Sequence, residues 1–114
     1  MDVFSALAVP TRRSIIEMLA SRGRLSATDI YDKFNASPPA ISQHLKVLRE
    51  VKLVRVEKQG QQRMYEINIE GIYAFELWTQ KMTHLWNQRF DALDRVLESE
   101  KKKLLKIKKR EYGK

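Results

Sequence analysis

At 114 residues, with 43% hydrophobic and 32% charged side chains, the chain is expected to form one soluble globular domain rather than a disordered segment. It contains no cysteine, which excludes disulfides, thiolate metal ligands and cysteine nucleophiles. Its apolar runs fall far short of the roughly 20 residues a bilayer span requires, and Asp2 stands where a signal peptide would carry positive charge, so a cytosolic protein with no membrane association is expected.

Pro10 opens the first clear helical pattern: a proline at the first position gives up only an N–H that would be unpaired anyway. Ile15, Ile16 and Leu19 follow at helical spacing, with Met18 and Ala20 widening the stripe, and Gly23 marks its end. Ser26 then caps a short helix in which Asp29 can reach back to the cap N–H. Ile30 and Phe34 form its apolar pair, and it is predicted to end near Asn35-Ala36.

Ser37-Pro38-Pro39 repeats the start signal for a helix running to about Glu50 or Val51. Ile41, Leu45 and Leu48 define its buried face, so Pro39, Gln43, Lys46 and Glu50 point the other way and Ser42 borders them. From Leu53 the period changes to two: Val54 and Val56 alternate with Arg55 and Glu57, and Met64 to Ile67 reads as a return strand. Gln59-Gly60-Gln61 supplies the turn, with Lys58, Gln61, Gln62 and Arg63 around the tip. A long helical pattern begins near Glu70, carries Phe75, Trp78, Met82, Leu85, Trp86, Leu93, Val96 and Leu97, and continues weakly through Leu104 and Ile107.

The expected fold is thus mainly α with a small β-hairpin, an α+β arrangement of the winged helix-turn-helix type with a long C-terminal helix. A domain over residues 1–100 is followed by a basic tail at 101–114. The net charge of +8 supports this division: residues 101–114 hold eight Lys or Arg and one Glu, residues 12–63 eleven basic against five acidic, and residues 64–100 three basic against seven acidic. A lysine-rich frayed end would explain the tail but not the contrast within the body.

A major groove accepts one α-helix, and a hairpin beside it reaches the backbone or the minor groove. The helix over 37–51 and the wing over 54–68 are therefore the candidate DNA-reading elements. The Gln43 amide can pair with adenine N6 and N7, Ser42 can meet a base or a phosphate, and Lys46 suits a phosphate. A polar outward face is more often merely solvated, but the adjoining basic hairpin favours recognition. Ser37, Pro39, His44, Lys58, Gln61 and Arg63 complete the candidate DNA contacts.

The run Ser42-Gln43-His44-Leu45-Lys46-Val47-Leu48-Arg49-Glu50, followed by Leu53-Val54 and by Gly60 in the wing turn, resembles the recognition-helix-to-wing signature of ArsR-type regulators. Phe4-Ser5-Ala6-Leu7-Ala8 with Pro10-Thr11-Arg12-Arg13 is similar to that family's opening, so the likeness spans roughly residues 4 to 68. It implies a winged-helix homodimer that binds double-stranded operator DNA and usually represses, with the first and last helices at the dimer interface. Phe4, Phe75, Trp78, Met82, Leu85 and Trp86 are the candidate dimer residues, although packing within the subunit would use the same stripe.

Two departures stand out. Val9 replaces the Asp that commonly caps the helix before the proline, a loss of about 1 kcal/mol of local stability. The resemblance places the family's thiolate positions at Ser26 and Thr28, whose hydroxyls cannot replace thiolates for soft metals, and His84 has no second His on its helix. No metal, cofactor or catalytic residue is expected, and no effector is indicated. His44 and His84 lie on different helices, and no Ser-His-Asp grouping or Gly-rich phosphate loop is present, which makes an enzyme the weakest reading. The alternatives are an architectural nucleic-acid binder driven by the basic tail, which would not need Ser42 and Gln43, and an interaction module that no longer binds DNA.

Overall fold

The computed structural model describes the backbone of residues 1–112 and the side chains of residues 1–108. The elements in order are α1 (Val3–Leu7), α2 (Pro10–Arg22), β1 (Leu25–Ser26), α3 (Ala27–Tyr31), α4 (Pro38–Glu50), β2 (Val54–Gln59), β3 (Gln62–Ile67) and α5 (Ile69–Tyr112). The chain divides into two compact units, residues 1–76 and 77–114. The first holds every element up to the opening turns of α5; the described part of the second is the rest of that helix.

Capping chemistry sets the starts of the short helices. The Asp2 carboxylate accepts the Ser5 N–H at 2.8 Å, which holds its pKa below the usual carboxylate value. Ser26 Oγ accepts from Asp29 N at 3.1 Å, and Ser37 Oγ from Ala40 N at 3.3 Å. Val9 caps α2 with no side-chain bond, as its chemistry requires, and α2 ends on Gly23 at φ 81°.

Two expectations need correction. The short third helix stops at Tyr31 rather than near Asn35-Ala36, because Lys33 N and Phe34 N bond three residues back and tighten the chain into turns. Phe34 nonetheless packs against the core. The hairpin is also not alone: Leu25 and Ser26 pair with Tyr65 and Met64, which makes a three-stranded antiparallel sheet in the order β1-β3-β2. Two residues are too few to show a period.

Ile15 and Leu19 of α2, Ile30 of α3, Ile41, Leu45 and Leu48 of α4, and Leu53, Val54 and Tyr65 form one buried cluster. Each large aliphatic side chain sealed there stabilises the unit by about 1.5–3 kcal/mol relative to exposure. The cluster fixes which face of α4 is left outside. On the sheet's other face, Arg55 pairs with Glu66 at 3.3 Å and Arg24 with Glu57 at 3.0 Å.

The passage from α4 to the wing and from the wing to α5 converges on Lys52. This residue adopts φ 64°, an unfavourable conformation for a side chain with a Cβ. Its carbonyl accepts the Asn68 Nδ2–H at 2.9 Å, while Asn68 N donates to Leu53 O at 2.9 Å. A Cβ at Gly71 would run into the same Lys52 carbonyl, so the first turn of α5 reaches its position only because residue 71 has no side chain.

Candidate nucleic-acid interface

The interface is built on α4. Burial of Ile41, Leu45, Val47 and Leu48 turns Pro39, Gln43, Lys46 and Glu50 outward, all four of them exposed. β3 then brings the wing beside this face. A cleft of about 280 Å³ is lined by Pro39, Ser42, Gln43, Lys46 and Arg49 from α4 and by Arg63 and Tyr65 from β3. Three cations and three neutral hydrogen-bonding side chains therefore border one cleft, an arrangement suited to polyanion backbone and base edges together.

Five of the nine candidate DNA residues, Pro39, Ser42, Gln43, Lys46 and Arg63, meet at that cleft. Lys58 lies directly opposite Arg63 in the β2–β3 register, and exposed Gln61 occupies the two-residue loop with Gly60, which takes φ 61°. Two like charges facing each other cost a few tenths of a kcal/mol or more in an unliganded hairpin and become favourable on a phosphate backbone. Ser37 is exposed at the α4 N-terminus, with its hydroxyl engaged as the cap.

His44 is placed differently. Its Nδ1 accepts a hydrogen bond from Arg12 Nε at 3.1 Å, which leaves the neutral ring's proton on Nε2. Burial, and then the Arg12 charge, lower the His44 pKa below its ordinary value. Arg12 is only 9% exposed, and its Nη1 also lies 3.5 Å from Ala6 O and 3.3 Å from Met1 Sδ. Sequence reading missed this role of Arg12, since an arginine near a helix start gives no sign of burial. It also missed Arg49, although Ser42, Lys46 and Arg49 follow at helical spacing and could have revealed it.

Of the candidate dimer residues, Phe4 packs on Phe75 with ring centroids 5.6 Å apart. Phe4, Trp78, Leu85 and Trp86 are 45–56% exposed, while Phe75 and Met82 are half-buried. Ser26 is buried with its hydroxyl on the Asp29 N–H. Among the described residues, no three His, Asp or Glu side chains converge to hold a metal ion, and no helix is long and apolar enough to cross a membrane.

A helix-turn-helix whose second helix shares a cleft with a basic β-hairpin defines a winged helix-turn-helix DNA-binding protein. A family model described as a helix-turn-helix domain matches residues 7–57. The transcriptional repressor SdpR of Bacillus subtilis is 39% identical over 67 residues, 59% of this chain and 73% of its own length. The HTH-type transcriptional regulator Rv2034 of Mycobacterium tuberculosis is 38% identical over 85 residues, 70% of this chain and 78% of its own. A crystal structure of an ArsR family transcriptional regulator superposes with a TM-score of 0.67 at 33% identity, covering 74% of this chain and 86% of that one. The chain belongs to the ArsR family of winged helix-turn-helix transcriptional regulators. It is a DNA-binding regulator and not an enzyme.

Proposed function

We propose that this regulator is a homodimeric repressor acting in the cytoplasm, which occupies a palindromic operator with α4 and the wing over 54–68 of each subunit. The cleft that gathers Ser42, Gln43 and Lys46 with Arg63 is the observation that carries the reading. Gln43 is the base reader, and Ser42 contributes beside it. Lys46, Arg49, Lys58 and Arg63 hold phosphates, with Ser37, Pro39, His44 and Gln61 at the rim of the interface.

Residues 1–100 supply DNA binding and dimerisation, and the basic tail over 101–114 adds sequence-independent attraction. Phe4, Phe75, Trp78, Met82, Leu85 and Trp86 form the two-fold surface. Exposed aromatics of this size need a cover, and a two-fold partner would set two recognition helices on successive major grooves. The relative named a transcriptional repressor favours repression. No metal or cofactor enters the reading.

Selection of bound fragments from genomic DNA, followed by footprinting, tests it. The expected footprint contains inverted half-sites about 10–10.5 base pairs apart, centre to centre. Gln43→Ala should weaken operator binding by about 1–3 kcal/mol while leaving random DNA nearly unaffected, because it removes base readout and no charge. An equal loss on both DNAs would remove Gln43 from the reading, and protection without sequence preference would make the protein an architectural binder.

A further inference from the structure

The second unit presents an apolar surface that DNA recognition does not use. Along α5, Trp86, Phe90, Leu93, Leu97, Leu104 and Ile107 follow at intervals of four, three, four, seven and three residues. That is the heptad seam of a two-stranded coiled coil, with one position, Glu100, occupied by a charge. All six apolar side chains are 47–58% exposed. Trp86 and Phe90 meet edge to face at 4.9 Å, so the stripe is already packed along its own helix and open on its outer side. Long helices draw most of their stability from burying such a face.

Charge identifies what covers it. Residues 91–100 carry four carboxylates and one arginine, whereas residues 101–108 carry five lysines. Laid antiparallel on a second copy, each acidic half meets a basic half; laid parallel, like meets like. The seam positions sharpen the choice. Parallel pairing would face Glu100 with Glu100 of the second copy and set Lys103 beside Lys108, against one favourable pairing, Arg89 with Asp94. Antiparallel pairing stacks Phe90 on Ile107, Leu93 on Leu104 and Leu97 on Glu100, and places Asp94 beside Lys101 on both sides of the two-fold. Glu100 then faces an aliphatic neighbour rather than another carboxylate, with Lys103 of its own helix 3.5 Å away.

We infer that residues 90–107 form a self-association site whose occupant is the same segment of a second copy, running antiparallel as a two-stranded coiled coil. Covering these half-exposed side chains on two chains removes on the order of 1,000 Å² from water, the lower bound of specific interfaces. The site is separate from the two-fold surface proposed around Phe75 and Trp78, with Trp86 at their junction. Where both surfaces engage, four copies assemble and can hold two operator segments at once.

The chain has no native cysteine, so introduced ones report alone. Full-length Phe90→Cys and Ile107→Cys chains, distinguished by mass, are mixed and exposed to oxidised glutathione. The expected product is the 90–107 cross-link, at least about tenfold over either self-linked species. Predominance of self-linked 90–90 and 107–107 dimers would establish a parallel pair and overturn the inference. So would cross-linking no greater than that of Lys102→Cys on the opposite face of the helix. In sedimentation, Leu93→Glu with Leu97→Glu should lower the assembly mass twofold while the thermal transition of residues 1–76 persists; an unchanged mass counts against the site. Trp78→Glu in both cysteine chains keeps the two proposals apart: the 90–107 cross-link should survive, and its loss would reduce the stripe to an extension of the operator-binding dimer surface.

Discussion

Arg12 Nε donates to His44 Nδ1 at 3.1 Å, so the buried side of α2 holds a ring of the recognition helix through a nitrogen that must stay unprotonated. Because the native His44 pKa lies below its ordinary value of 6.5, the unfolded chain binds the proton more readily than the folded one. The contribution is therefore complete above pH 6.5 and is lost as pH falls through 6.5 toward the lower native value. Urea unfolding at pH 7.5 and 5.5 should show His44→Gln losing less stability on acidification than the parent, since glutamine can accept from Arg12 without titrating. An equal acid loss in both proteins would show that this hydrogen bond does not govern the window.

The wing opposes Lys58 to Arg63. Replacing both by Ala should weaken binding to operator and random DNA alike and flatten the salt dependence by roughly 0.9 for each phosphate no longer neutralised. The same change should leave stability unchanged or raise it by a few tenths of a kcal/mol, because a cross-strand like-charge pair is removed. Fluorescence anisotropy across a salt series reads the first effect and thermal unfolding the second. An unaltered slope would place the wing away from the backbone.

Gly71→Ala would ordinarily gain about 1 kcal/mol in a helix. Here the added methyl meets the Lys52 carbonyl, so the expected result is a net loss of about 1–3 kcal/mol, the range of overpacking against atoms that cannot swing aside. Lys52→Gly should act in the opposite direction, since glycine accepts φ 64° without a Cβ penalty. Chemical denaturation of both variants checks the pair; a stabilised Gly71→Ala would show that α5 can shift away.

Charged residues at Trp78 and Leu85, exposed at 46% and 48%, should break the operator-binding dimer, halving the assembly mass and sharply weakening operator binding while leaving the distal α5 pairing in place. Sedimentation with footprinting tests both parts. Full-site protection by a species that remains a monomer at tens of micromolar would assign the stripe to packing within the subunit.

Much of this protein is decided locally, and so was legible in one dimension. Ser26 and Ser37 cap where a short hydroxyl precedes a helical stripe, Pro10 and Pro38-Pro39 open helices, and Gly60 turns the wing. The outward direction of Gln43 and Lys46 follows from the phase of Ile41, Leu45 and Leu48, because the helical period fixes angles wherever one face is buried. What needed the tertiary structure depends on partners distant in sequence. β1 exists because Tyr65 and Met64 offer Leu25 and Ser26 their backbone groups 38 to 40 residues away. Arg12 is buried because His44, 32 residues on, lies beneath it. Arg63 belongs to the DNA-facing cleft because β3 lies beside α4. Periodicity reports how a residue faces its own element; only the packing of elements decides which charges and carbonyls that face will meet.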